Sequence, residues 1–154
     1  MILDSKQTLE LNLLCKSILD VNISICSVSI INNKGRLQEI ITRNGIIPCL
    51  SSEKKQMFYM EYALRDSMRR EFDDELGPVR YSYTERREEV LFSFPLDSLL
   101  VIVTCHENVI PSIFANKIIP IITECKIKIH PKSNDVENTN QIHKEQKIAE
   151  IVIQ

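Results

Sequence analysis

The side chains most able to do chemistry stand together at Cys105-His106-Glu107, at the end of an apolar run. A cysteine nucleophile needs an imidazole that faces its thiol. Neighbouring residues of a strand point to opposite faces, so the side chains of Cys105 and His106 should diverge. The sequence therefore favours a buried cysteine at a strand end, followed by a polar loop, over a reactive pair.

A zinc site could be assembled from four potential ligands in the same part of the chain, Cys105, His106, Cys125 and His130. The spacing between Cys125 and His130 is not that of a zinc knuckle, and no second closely spaced pair of ligands exists. The whole chain has three glycines, which leaves little room for a Gly-rich phosphate loop. We therefore predict neither a metal nor a cofactor.

Two charged clusters offer weaker hints. The first follows Arg69-Arg70 and consists of Glu71, Asp73, Asp74 and Glu75. Carboxylates at the end of a helix oppose the helix dipole, which could mark a partner or cation site. Exposed charges usually contribute little, so a solvated helix end is the more economical interpretation.

The second cluster is basic and interleaved with aromatic residues, which is typical of proteins that bind single-stranded nucleic acid. It consists of Arg80, Arg86 and Arg87 with Tyr81 and Tyr83. Three glutamates in the same stretch, at 85, 88 and 89, nearly neutralise it. We expect a charged hairpin that protects a sheet edge and no nucleic-acid partner.

Composition limits the class of protein. The 154 residues suit one domain, with 44% hydrophobic and 26% charged residues and a net charge of −2. No secretory signal and no apolar run long enough to span a membrane is visible. Five widely spaced cysteines with no C-x-x-C motif are typical of reduced thiols in a cytoplasmic protein.

Periodicity predicts the elements in the first third of the chain. A helix is expected over Ser5–Asp20, with Leu9 and Leu13 in its apolar stripe. A hairpin follows, in which Ile23–Ile31 and Arg36–Arg43 flank a turn rich in Asn and Gly. The alternation of apolar residues slips soon after residue 25, which predicts a β-bulge there.

A long helix is predicted over Glu53–Asp74, capped by Ser51 or Ser52. Its apolar stripe has spacings of three and four and consists of Met57, Met60, Leu64, Met68 and Phe72. We interpret this stripe as core in preference to an adaptable binding groove.

Three strands with very short connections follow, at Val79–Thr84, Val90–Phe94 and Leu99–Val103. A last helix should begin near Pro111, because proline is favoured in the first turn. Pro120 predicts a kink or an early end in this helix.

The composition changes after Cys125. Residues 132–147 are rich in Asn, Lys, Glu and Gln, which is typical of disorder. Ile148–Ile153 is apolar again and is either a docking segment or a frayed end. We therefore divide the chain into a domain over 1–125 and a polar, flexible tail over 126–154.

The order α-β-β-α-β-β-β-α predicts an α+β fold with a five-stranded antiparallel sheet. It resembles the profilin-like class and, within it, roadblock/LC7 domains. The resemblance covers about Ser5–Glu124 and is carried by the element order, the turn at Asn32–Gly35 and the strand pair before Cys105. The run Gly77–Glu88 also resembles small archaeal families of this class.

This resemblance implies a homodimer that regulates or scaffolds a small GTPase, and it supplies no catalytic residues. Dimers of the family form through the second helix and the third strand. In this chain, that surface would contain Met57, Met60, Arg80, Tyr81 and Tyr83. We therefore predict a protein without enzymatic activity. The alternative is a PAS-like sensor that holds a small molecule between the sheet and the helix over 53–74.

Overall fold

The computed structural model describes residues 2–129, with side chains through Cys125. Its elements are α1 Ser5–Leu19, β1 Ile25–Asn32, β2 Leu37–Thr42, α2 Ser52–Arg70, α3 Asp73–Leu76, β3 Ser82–Glu85, β4 Val90–Leu96, β5 Leu99–Cys105 and α4 Pro111–Ile129. The predicted order is confirmed, with the single turn α3 as an addition. Within this part of the chain, no helix is both long enough and apolar enough to cross a membrane.

The five strands form one antiparallel sheet in the order β2-β1-β5-β4-β3. The early hairpin and the later three strands merge because β1 pairs with β5 along almost its whole length. The predicted bulge is confirmed, since the β1–β5 register shifts between Ile25 and Ser27. The two edges of the sheet are β2 and β3.

The main core lies between one face of the sheet and the helices α1 and α4. Alternate residues of β4 and β5, such as Phe92, Phe94 and Val101, point into it. From α1 it receives Leu11, Leu14, Cys15 and Ile18, and from α4 Phe114, Ala115, Ile118 and Ile122. The prediction for α1 was wrong at Leu9 and Leu13, which are 58% and 46% exposed.

The opposite face of the sheet is rich in hydroxyl groups, and α2 covers it. A small apolar cluster joins them, consisting of Tyr59, Tyr62, Ala63, Ile31, Leu100 and Ile102. The phenol of Tyr59 lies close to the Ser29 side chain, and that of Tyr62 lies close to the Thr84 side chain. Tyrosine suits this interface because its ring packs on the apolar positions while its hydroxyl satisfies the polar ones.

The β1–β2 turn comes very close to α2. Gly35 has a φ of 76°, and a Cβ built on it would lie 2.7 Å from the Cα of Met60. The side-chain oxygen of Asn32 accepts hydrogen bonds from the amides of Lys34 and Arg36 and shapes the turn. Glycine is therefore needed at this position both for its backbone conformation and for its contact with the α2 backbone.

Two predicted boundaries were wrong, and a third prediction was left with one of its two alternatives. The helix expected to reach Asp74 ends at Arg70, and the chain turns before α3. The strand expected from Val79 begins at Ser82, because the same register would set Arg80 opposite Pro95, which has no N–H. At Pro120, where a kink or an early end was predicted, α4 does not end but continues to Ile129, and the kink stays a prediction. The predicted tail lies outside the described residues, apart from four residues that extend α4.

Candidate partner-binding surface

An apolar stripe on α2 faces solvent. Met57, Met60, Leu64 and Met68 are between 59% and 69% exposed. They lie three or four residues apart and so form one line about 16 Å long on the helix surface. The interpretation of this stripe as core was wrong. A line of large apolar side chains on a folded domain typically marks an interaction surface. We call these four residues the α2 stripe.

The reason for its exposure lies on the other side of α2. This helix carries two apolar faces, and the sheet can cover only one of them. Tyr59 and Tyr62 provide hydroxyl groups that match Ser29 and Thr84, whereas methionine and leucine would leave these groups without partners. Burial raises the pKa of both tyrosines, as expected for phenols held in a contact region.

Charged side chains border the α2 stripe. Arg65 forms an ion pair with Glu61 along one side of the stripe, whereas the ion pair between Arg70 and Asp66 lies on the opposite face of α2. The guanidinium of Arg65 also lies 5.6 Å from the centre of the Tyr62 ring. An apolar line bordered by a charged pair has the composition of a protein interface with a polar rim.

The edge strand β3 lies beside the C-terminal half of α2. Arg69 connects them, donating a hydrogen bond from Nη1 to the Ser82 hydroxyl at 2.5 Å. Within the described residues, β3 pairs only with β4, so its other edge has no strand partner. Such an edge can pair with a strand from another molecule. The C-terminal half of α2 therefore lies next to the unpaired edge of β3.

The structure places the predicted surface residues in three different surroundings. Met57 and Met60 lie in the exposed α2 stripe. Tyr81 and Tyr83 instead turn toward the main core, with ring centres 6.3 Å and 5.0 Å from that of Phe92. Arg80 extends to α4, where it donates to the Asn116 side chain at 3.3 Å. Leu64 and Met68 of the α2 stripe were not among the predicted surface residues.

The structure also gives a local explanation for each of the two charged clusters predicted from the sequence. Asp73, Asp74 and Glu75 form the first turn of α3, so they favour its dipole and do not oppose the dipole of α2. Arg87 forms an ion pair with Glu88 in the exposed turn between β3 and β4. The two tyrosines of the basic cluster are packed on phenylalanines and so do not form an exposed stacking platform with these arginines.

An open groove of about 800 Å³ runs between the N-terminal half of α2 and the β3–β4 turn. Its apolar wall is formed by Leu50, Met57, Phe58 and Leu91. Arg86, Arg87 and Glu88 form the opposite, charged rim. Because Met57 belongs to both, the groove continues the α2 stripe and enlarges the surface available to a partner.

The neighbouring residues Cys105 and His106 lie on opposite sides of the sheet. Cys105 is fully buried, and burial raises its pKa to about 12, so its interpretation as a core cysteine is confirmed. His106 turns to the other side of the sheet, where Nδ1 lies 3.3 Å from Sγ of Cys26. Sequence reasoning missed this pair because 80 residues separate its members. Only the bulge prediction pointed to an unusual side chain near residue 26.

The residues considered for zinc are not gathered into a site. Cys105 and Cys125 are both buried in the main core, and His130 lies outside the described residues. Between residues 2 and 129, no group of three His, Cys, Asp or Glu side chains has a geometry that could hold a metal ion.

The fold defined above is that of roadblock/LC7 domains. The chain matches the roadblock/LC7 domain from Streptomyces avermitilis with a TM-score of 0.58 and 11% identity, covering 76% of this chain and 95% of that one. It matches Myxococcus xanthus MglB with a TM-score of 0.63 and 12% identity, over 88% and 100% of the two chains.

A structure described as MglB with tetrameric arrangement is also similar, with a TM-score of 0.56, 10% identity and coverage of 81% and 96%. No family model and no curated protein matches the sequence. The resemblance inferred from the element order is therefore confirmed at the level of the fold.

Proposed function

We propose that this protein is a non-enzymatic regulatory or scaffold module, which forms a homodimer and binds a small GTPase or another protein partner. The observation that carries the proposal is the exposed α2 stripe beside the unpaired edge of β3. A two-fold axis at this position would set α2 against α2 and β3 against β3, so that each copy covers the other with the same surface.

The chemistry of the surface supports protein binding. Its exposed centre is apolar and the ion pair between Arg65 and Glu61 borders it, as in an interface with an apolar centre and a charged rim. The roadblock/LC7 fold supports a small GTPase as the partner, in line with what the resemblance implies. Several buried thiols, among them Cys15 and Cys105, support a reducing cytoplasm as its location.

The PAS-like alternative requires a ligand cavity between α2 and the sheet. The half-open cavity there has a volume of about 110 Å³ and is lined by residues such as Ser27, Tyr59 and Thr104. Pockets for small molecules usually measure about 300–1,000 Å³. The cavity is too small for most cofactors, so the geometry favours the dimeric module.

Sedimentation velocity of matched leucine variants tests the dimer. Leu64→Glu places a carboxylate in the α2 stripe, and Leu9→Glu places one at a similarly exposed leucine on α1, in the opposite layer. We expect the unmodified chain and Leu9→Glu to sediment with twice the monomer mass of 17.8 kDa. Leu64→Glu should sediment as a monomer, because two carboxylates would face each other in a dry contact.

A monomeric unmodified chain at 100 µM, or equal masses for both variants, would contradict this interface. The partner is tested separately, by capture from extract of the native cell with GTP or GDP added. We expect a small GTPase to be retained in a nucleotide-dependent manner. If the chain is dimeric but retains no GTPase under either condition, the dimer stands and the GTPase assignment is wrong.

A further inference from the structure

The bulge in β1 directs a thiol out of the regular pattern of the sheet. Ile25 and Ser27 both have partners on β5, but Cys26 between them has none. An extra residue in a bulge is re-aimed relative to its neighbours. As a result, Cys26 lines the half-open cavity of about 110 Å³, whose wall also contains Cys49 from the loop that leads into α2.

His106 lies between the Cys26 thiol and a carboxylate. Its Nδ1 is 3.3 Å from Sγ of Cys26, and its Nε2 is 3.6 Å from Oε1 of Glu107. An imidazole in this position can accept the thiol proton on one nitrogen while the carboxylate stabilises the imidazolium. Because the His106 side chain is 48% exposed, it can exchange this proton with water.

The charges around Cys26 make such a base necessary. Burial, followed by the negative charge of Glu89, raises the pKa of the Cys26 thiol, although the charge of Arg43 and a hydrogen bond with the His106 backbone lower it. The thiol therefore keeps its proton near neutral pH and becomes nucleophilic only when a neighbouring group removes it.

The second thiol approaches the same carboxylate. Sγ of Cys49 lies 3.8 Å from Oε1 of Glu89, and Cys49 is exposed. The charge of Glu89 also acts on Cys26. Cys26, Cys49 and Glu89 therefore line the same small cavity, with one thiol on the rigid sheet and the other on a loop.

We propose that Cys26 and Cys49 form a dithiol that hydrogen peroxide oxidises to a disulfide, with His106 as the base. The sulfur of Cys49 attacks one peroxide oxygen, the O–O bond breaks, and Cys49 becomes a sulfenic acid as one water leaves. His106 then takes the proton of Cys26, whose sulfur attacks the sulfur of Cys49. The S–O bond breaks, and the departing hydroxide takes the proton from His106 and leaves as the second water.

The electrons balance, because two thiols lose two electrons and peroxide gains them. The product links β1 to the loop before α2. The dithiol does not require the proposed dimer, since Cys26, Cys49 and His106 lie outside the α2 stripe, although Cys49 and His106 also line the groove that continues it.

The test uses the reduced full-length chain, treated with hydrogen peroxide and then blocked with N-ethylmaleimide. Trypsin should yield a disulfide-linked pair of peptides, 17–34 with 44–54, and the intact chain should carry two fewer maleimides. Cys15 and Cys105 should still react after denaturation, because both are buried. The Cys49→Ser variant is the control and should form no linked pair.

The His106→Gln variant separates the two steps. We expect the linked pair to form about a hundredfold more slowly, as is common when a general base is lost. A dimedone-reactive sulfenic acid should accumulate on Cys49, because its first oxidation does not need His106. Melting curves by circular dichroism show whether the variant remains folded.

Absence of the linked pair in the unmodified chain would overturn the dithiol, and a link from Cys26 to Cys105 would overturn the choice of Cys49. An unchanged rate in folded His106→Gln would overturn the role of His106.

Discussion

Substitution of Gly35 by alanine should weaken the docking of α2 on the β1–β2 turn. The added methyl group would lie 2.7 Å from the Cα of Met60 and 2.8 Å from its backbone nitrogen. Backbone atoms cannot move aside as a flexible side chain can. Either the turn or the whole helix must therefore shift, and the small cluster beneath α2 loses part of its packing.

The free energy of unfolding that Gly35→Ala is expected to lose has two contributions. Alanine at a φ of 76° costs roughly 1 kcal/mol relative to glycine. The forced contact adds about 1–3 kcal/mol, as is typical when extra carbon is inserted into a packed region. Gly45→Ala provides the matched control, because its φ is 86° and nothing lies within 4 Å of the added carbon. We expect Gly45→Ala to lose only the roughly 1 kcal/mol that comes from the backbone conformation.

The assay is unfolding in urea, at one protein concentration for all variants because dimers gain stability with concentration. Gly35→Ala should reduce the free energy of unfolding by about 1–3 kcal/mol more than Gly45→Ala does. Equal losses for the two variants, within about 0.5 kcal/mol, would refute the close contact between the turn and α2.

Two further predictions concern stability. The Arg43 guanidinium donates hydrogen bonds at 2.7–3.1 Å to the carbonyls of Leu19, Asn22 and Ile25, so Arg43→Ala should cost about 3 kcal/mol in urea unfolding, whereas the exposed Arg36→Ala should cost almost nothing. The pKa of Tyr62 in the folded chain is raised above its ordinary value of 10.0, so folding favours the protonated phenol. Its contribution is complete below pH 10 and declines as the pH rises further. Tyr62→Phe should therefore lose less stability than the unmodified chain between pH 9.5 and 11, and parallel pH profiles would contradict this assignment.

The order of helices and strands could be predicted from the sequence, because local signals determine it and tertiary packing does not override them. Asn and Gly at the β1–β2 turn and the alternation in β4 and β5 are decided within a few residues. The end of α2 was harder to place, because Glu71 and Phe72 allow either continued helix or the observed turn into α3. Good helix formers alone do not reveal where a chain changes direction.

The candidate surface was predicted only in part, because tertiary packing selects which face of an element is buried. The apolar line beginning at Met57 and the face containing Tyr59 are both compatible with a core position. The hydroxyl groups of the opposing sheet select the tyrosine face. In the same way, Tyr83 pairs with Phe92, and this register sends its ring into the main core.

Tyr81 illustrates the consequence for experiments. Its ring lies 6.3 Å from that of Phe94, so Tyr81→Glu would disturb the core and could not report on an interface alone. The informative positions are those of the α2 stripe, which can be changed without affecting a buried contact.

Amide hydrogen exchange across a range of protein concentrations is the most direct test of the proposed interface. In a single chain, the outer amides of Ser82–Glu85 have no strand partner and should exchange fast. If β3 pairs with β3 of a second copy, these amides should become protected as concentration rises, and the outer edge of β2 should not change. Protection that is independent of concentration at β3, in a chain shown to dimerise, would contradict the proposed interface.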